Sequence, residues 1–161
     1  MMAQTDSTPR FVESCYSKMR TNLIEVRKKH NKPLTLADKI LFSHLDDPGN
    51  SELKAGESYL LLRPDRVALQ DVLGQTVMLN FMQTLKKSVA VPTTVHCDHL
   101  IQARVEGGSD LLQSKQENKE VYDFLKNASA KFGVGFWGPG AGIIHQVVLE
   151  NYAFPGALII G

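Results

Sequence analysis

Apolar residues recur at spacings of three and four from Val12 through Cys15, Met19 and Leu23 to Val26, the period of a helix with one buried face. Thr8-Pro9 supplies an N-cap and a proline for the first turn, while Arg27, Lys28, Lys29 and His30, followed by Pro33, mark the other end. The cationic cluster therefore reads as a helix terminus before it reads as a ligand patch. Thr35 with Asp38 three residues on predicts a second, shorter helix through Ile40 and Leu41, closed by Asp46-Asp47-Pro48-Gly49-Asn50.

The pattern then shortens. Tyr59-Leu60-Leu61-Leu62, ended by Arg63-Pro64-Asp65, has strand length; a helix is expected from about Val67 to Leu85, weakened by Gly74, and a second strand from Val89 to Val95. Ser109-Asp110 is expected to cap one long helix whose stripe runs through Leu111, Asn118, Val121, Leu125, Ala128 and Phe132 and stops at Gly133. A glycine-studded loop from Gly133 to Gly142, a helical segment from about Ile143 to Tyr152 and a strand at Ala157 to Ile160 complete the chain. Strands alternating with helices predict an α/β fold, a mainly parallel sheet with flanking helices. The helical lead-in covers about 8–50 and the sheet-and-helix part about 56–161, with no domain boundary drawn inside residues 1–161. A final strand with no helix after it to cover the sheet suggests truncation.

Composition narrows the function classes. With 43% hydrophobic and 22% charged residues in 161, the chain has the make-up of a globular domain rather than a disordered or fibrous one. A formal charge of +1 supplies no broad basic field for nucleic acid or an anionic membrane, so neither is expected as a partner. No apolar run, Ala157 to Ile160 included, approaches the roughly 20 residues that cross a bilayer. Residues 1–10 show no apolar signal-peptide region and no Arg-rich transit pattern. The two cysteines, Cys15 and Cys97, can build neither a disulfide framework nor a four-thiolate metal site, which makes a reducing compartment the default.

Candidate chemistry is densest at His96-Cys97-Asp98-His99, where the Val89–Val95 run ends and where ligands of open α/β sheets sit. An Asp beside a His can fix the tautomer of the imidazole and stabilise its protonated form, which suits proton transfer near neutral pH. Neighbours on an extended strand point to opposite faces, so Asp98 and His99 can touch only where the strand has become a loop. The competing reading is a strand-end histidine satisfied by backbone and an aspartate that caps a helix. A metal site on His96 and His99 lacks a third ligand at zinc-type spacing. Gly133 to Gly138 fits G-x-G-x-x-G, but it follows a helix and carries Phe136 and Trp137 where a pyrophosphate would lie; a tight helix-to-strand connection is the plainer reading. His145, among Ile143, Ile144, Val147 and Val148, is expected to be drawn toward the core, and Gln70 can bind a carboxylate or hydroxyl or simply face solvent. Cys15 reads as a small core residue, and Cys97 has no activating constellation around it.

The runs RKKHNKPLTLADKI, HLDDP, LRPDRVALQD, AVPTTVHCDHLI, NKEVYDFL, KFGVGFWGPGAGIIHQVVLENYAFPG and LIIG resemble, in order and spacing, the N-terminal part of the mitochondrial-type aconitase family, from about residue 20 to residue 161. The resemblance implies reversible isomerisation of citrate to isocitrate through cis-aconitate in the tricarboxylic acid cycle, a hydro-lyase reaction assisted by a [4Fe-4S] cluster acting as a Lewis acid. It implies that Gln70 contacts the substrate, that Asp98 and His99 handle the proton of the hydroxyl, and that His145 supports the pocket with an acidic partner. Mitochondrial placement likewise rests on the resemblance alone. The family's cluster cysteines, carboxylate-gripping arginines, serine base and a T-D-S-H segment all fall after LIIG, so this chain holds no cluster ligands. It is expected to need the remainder of an aconitase chain and to be inactive alone. The alternative is a shortened paralogue that serves as a non-catalytic binding or assembly subunit.

Overall fold

The structure, a computed structural model, describes residues 5–161, which form two compact units. One comprises Ser7–Asp65 with Phe154–Leu158; the other comprises Arg66–Ala153 with Ile159–Gly161, joined by Thr5 and Asp6.

The first unit is helical. Helix α1 spans Pro9–Lys29, its start capped by the Thr8 hydroxyl, which accepts from the Phe11 N–H at 3.3 Å. Helix α2, Leu36–Ser43, opens on the reciprocal Thr35–Asp38 capping box. Val26, Phe42 and Leu45 form the small core, with Leu23, Leu34, Leu60 and Leu62 packed around it. The strand expected at Tyr59–Leu62 is absent: Leu62 makes a lone antiparallel bridge to Leu45. Alternation is present there, with Tyr59 and Leu61 outside and Leu60 and Leu62 inward, but without a partner strand it yields no ladder.

Buried in this unit, His44 Nε2 lies 2.8 Å from Asp65 Oδ2 while its Nδ1 lies 2.7 Å from the Ile40 carbonyl. Both ring nitrogens face acceptors, so both carry protons and the pair is an imidazolium and a carboxylate. Burial opposes both charges, but the Asp65 hydrogen bond, the Ile40 carbonyl and the Asp65 charge together raise His44. His44 and the Leu158 N–H hold Asp65 below the ordinary carboxylate range.

The second unit contains strands β1 (Arg66–Gln70), β2 (Thr93–His96), β3 (Gly135–Trp137) and β4 (Ile159–Ile160) in the order β3-β2-β1-β4, every pairing parallel. The α/β class and parallel sheet are as expected, but several boundaries are not. The helix expected from Val67 begins only at Asp71 (α3, Asp71–Gln83), because β1 lies between two strands, Val67–Gln70 pairing with β2 and Arg66–Val67 with β4. Strand β2 starts after Pro92, which has no N–H to give and whose carbonyl instead accepts from Val67 at 3.1 Å.

The long helix is two, α4 (Gly107–Glu117) and α5 (Lys119–Phe132), interrupted at Asn118. Asp110 does not cap it: the N-cap is Glu106, and the buried Asp110 carboxylate accepts from the Arg104 and Val105 amides. Gly133, at φ 74°, stops α5 in the left-handed conformation that glycine adopts without a Cβ penalty. The glycine-rich stretch after it contains β3 and then leads to α6 (Ile144–Asn151).

Strand alternation sends Leu69, Val95 and Cys97 into the main core with Met78, Tyr122, Leu125 and Phe132 from α3 and α5. Arg66, Thr94, His96 and Trp137 fall on the other face. There the Arg66 guanidinium lies 4.0 Å over the Tyr152 ring, the Tyr152 hydroxyl accepts from Trp137 Nε1 at 2.8 Å, and Trp137 stacks on His96. This chain of contacts ties the end of α6 to three strands.

Candidate functional site

Gln70, His96 and Trp137 are the last residues of β1, β2 and β3, and they stand side by side in register. The chain therefore leaves all three strands at the same end of the sheet, through Asp71 after β1, Asp98 and His99 after β2, and the loop into α6 after β3. The carboxyl end of a parallel sheet is where α/β proteins place their ligands.

Asp98 joins two of these exits. Its Oδ1 lies 2.9 Å from His99 Nδ1, and its Oδ2 accepts from the Ile144 N–H at 3.0 Å, the first amide of α6. The contact between sequence neighbours exists because β2 ends at His96 and the backbone has turned by residue 98. A carboxylate only accepts, so Nδ1 carries its proton and Nε2 is left as the reactive nitrogen. The Asp98 side chain is 11% exposed and that of His99 is 40% exposed, and His99 Nε2 has no partner among the described residues. The helix-capping and histidine-orienting readings of Asp98 are thus both present, one on each oxygen.

Gln70 is half-buried at the end of β1, and its Oε1 is shielded without a hydrogen-bond partner among the described residues. His145 departs from expectation. Ile144 and Val147 take the buried positions of α6, and His145 stands exposed in the first turn, beside the amide held by Asp98. A three-residue buried period leaves the intervening side chain outside, which the apolar neighbourhood of the sequence concealed.

Asp71 carries no functional signal in the sequence. It is fully buried, and its two oxygens accept from the successive amides of His99 and Leu100, each at 3.2 Å. Burial pushes its pKa up against the pull of those amides. As the first acid of a helix it carries the ordinary signature of a dipole-favoured residue, so the sequence held no signal of this longer reach.

His96 lies on the sheet face away from the main core, fully buried, with Nε2 2.8 Å from the Thr94 hydroxyl; burial pushes its pKa down to about 4. Among the described residues, the group whose ligand atoms lie within 4.8 Å of one another is Asp71, Asp98 and His99, without His96. Each carboxylate oxygen of that group accepts one hydrogen bond, from an amide or from the imidazole. Gly133 to Gly138 runs from a helix into β3, the reverse of the strand-to-helix context that holds a dinucleotide.

The comparisons with known proteins bear on this geometry. Residues 38–161 match the model of the aconitase family (aconitate hydratase), a span that includes every site residue above. The chain belongs to the aconitase family. It is 60% identical over 146 residues to the mitochondrial aconitate hydratase of Aspergillus fumigatus, covering 91% of this chain and 19% of that protein. It is 62% identical over 136 residues to the mitochondrial enzyme of Saccharomyces cerevisiae (84% of this chain, 18% of the relative). With that of Gracilaria gracilis it shares 55% over 150 residues (93% and 19%). The chain thus spans about a fifth of the length of the curated relatives it matches.

The thiols present do not fit the iron-sulfur cluster that the family resemblance implies. Cys15 and Cys97 belong to different units and both are buried. Burial, then the charge and hydrogen bond of Asp65, pushes Cys15 up to about 11; burial, then the charges of Asp71 and Asp98, pushes Cys97 up to about 12. Both stay as protonated thiols, whereas an iron ligand is a thiolate.

Proposed function

We propose that this chain supplies one wall of the active site of an aconitate hydratase, the hydro-lyase that interconverts citrate and isocitrate through cis-aconitate in the tricarboxylic acid cycle of mitochondria. Gln70 binds the substrate, His99 oriented by Asp98 moves the proton, and His145 lines the pocket. The ligands of the [4Fe-4S] cluster, the arginines that grip the substrate carboxylates and the base that acts on carbon belong to residues other than these 161.

The observation that carries the reading is the divided use of Asp98, one oxygen on His99 Nδ1 and one on the first amide of α6. It leaves Nε2 exposed at the carboxyl end of the sheet, on an imidazole whose ring cannot turn without breaking that bond. In dehydration, protonated His99 gives the Nε2 proton to the departing substrate hydroxyl, which leaves as water; in hydration the neutral imidazole takes a proton from the entering water. Asp98 offsets the charge of the imidazolium at Nδ1 without itself taking a proton. Gln70 offers an amide to a substrate carboxylate or hydroxyl, and its unpartnered Oε1 is a group still in need of a donor.

The test is His99→Ala in the full-length enzyme. Turnover of citrate falls by about 10²- to 10⁴-fold while the thermal midpoint stays close to that of the parent. Turnover near the parent's refutes the role.

A further inference from the structure

We propose that Asp71 is a positioning residue for the proton-transfer pair, its carboxylate holding the turn in which Asp98 and His99 come together. The inference rests on the functional reading above and concerns a residue which that reading leaves out.

The ladder between β2 and β3 gives its last bond at Cys97, whose N–H donates to the Trp137 carbonyl at 2.9 Å. The amides of His99 and Leu100, just beyond, have no strand to pair with. An aspartate at residue 98 would ordinarily satisfy such amides locally through an Asx turn. Asp98 does not: its two oxygens are turned to His99 Nδ1 and to the Ile144 amide instead. Asp71 takes over, reaching from the first turn of α3, 28 and 29 positions away in sequence, with one oxygen for each amide.

Neighbouring side chains of an extended strand oppose each other, so the contact between Asp98 and His99 lasts only as long as the backbone turn beneath it. The forked carboxylate pins two consecutive amides of that turn, which fixes the peptide plane leading into Leu100 and with it the direction of the His99 side chain. Because Asp71 directly follows Gln70, the same carboxylate also ties the exit of β1, which carries the substrate-binding amide, to the turn that carries the imidazole. No salt bridge to Asp71 occurs among the described residues, and its fully buried charge is costly. A neutral acceptor would serve a merely structural turn at smaller cost, whereas a carboxylate serves two amides at once with stronger, charge-assisted bonds.

The experiment uses the full-length, cluster-loaded enzyme with Asp71→Ala, Asp71→Asn and His99→Ala in parallel, read by steady-state kinetics and by residue-resolved hydrogen exchange. Asp71→Ala is expected to lower kcat by about 10- to 100-fold, as a misplaced catalytic group does, with KM for citrate within about threefold. Asp71→Asn, which keeps one acceptor oxygen, recovers part of the loss. In the parent enzyme the amides of His99 and Leu100 exchange slowly; in Asp71→Ala they exchange fast while Cys97 keeps its protection. A folded Asp71→Ala enzyme with kcat within about twofold of the parent's, beside an inactive His99→Ala, overturns the positioning role and leaves the functional reading standing. Parental turnover in His99→Ala overturns both. Should Asp71→Ala not fold, fast exchange of the His99 and Leu100 amides in the parent enzyme overturns the role by itself.

Discussion

Asp98 and Ile144, 46 positions apart in sequence, are joined by a 3.0 Å hydrogen bond from the first amide of α6 to the carboxylate that also holds His99. One side chain thus fixes the position of a helix and the tautomer of an imidazole. His145 follows Ile144 directly, so the same bond sets where that histidine stands.

Replacement of Asp98 separates these duties. In Asp98→Asn the amide oxygen can still accept from Ile144, but the NH2 group then faces His99 Nδ1 as a donor. Nδ1 must become the acceptor and Nε2 the protonated nitrogen, the wrong tautomer for taking a proton from water. Full-length Asp98→Asn is therefore expected to lose about 10²- to 10⁴-fold in kcat with a nearly unchanged thermal midpoint. Asp98→Ala is expected to lose about 1 kcal/mol of stability in addition, for the uncapped end of α6. Equal activity of the Asn variant and the parent would contradict the orienting role.

The buried His44–Asp65 pair makes a separate prediction about pH. His44 is raised from its ordinary 6.5, so its contribution to stability is complete below pH 6.5 and is lost as the pH rises through the raised value. Asp65 is lowered from 3.8, so its contribution is present above pH 3.8 and is lost as the pH falls through the depressed value. Lys18 opposes the imidazolium charge, and the Cys15 thiol shares Asp65. The Leu158 amide, which donates to Asp65 Oδ2 at 3.0 Å, reports on the pair. Its protection, corrected for intrinsic exchange, should decline as the pH rises above 6.5. In His44→Leu, which leaves the buried Asp65 without its cationic partner, the unit should lose about 3–5 kcal/mol at neutral pH. Protection that is flat across this range would show that the pair is not charged.

The sequence made the helices with strong end signals legible. Thr8-Pro9, the Thr35–Asp38 box and Gly133 all act as their local chemistry demands, because caps depend on residues within one turn. Strands depended on partners the sequence does not reveal. Arg66–Gln70 resembles the start of the helix that follows it, and only pairing with β2 and β4 makes it a strand; Tyr59–Leu62, which has strand composition, finds no such partner. Gly135-Phe136-Trp137 was hidden among glycines, although Gly135 lies where a Cβ would meet the Thr94 methyl at 2.9 Å, a close approach that only glycine allows.

The site was legible in part for the same reason. Asp98 and His99 are adjacent in sequence, so their contact needed only a turn, and the structure places it there. Asp71 could not be found, because its work is done across 28 positions and by an oxygen that any first-turn aspartate possesses. The burial expected for His145 failed because apolar composition around a residue does not say which side of a helix it occupies; the register of Ile144 and Val147 does.

The role of His99 and Gln70 is decided by the structure of the full-length, cluster-loaded enzyme with citrate or cis-aconitate bound. A substrate oxygen is expected within about 2.6–3.2 Å of His99 Nε2, with the Gln70 amide on the same molecule and Asp98 still bridging His99 and Ile144. A tricarboxylate bound in the catalytic pocket with His99 and Gln70 both out of its reach would contradict it.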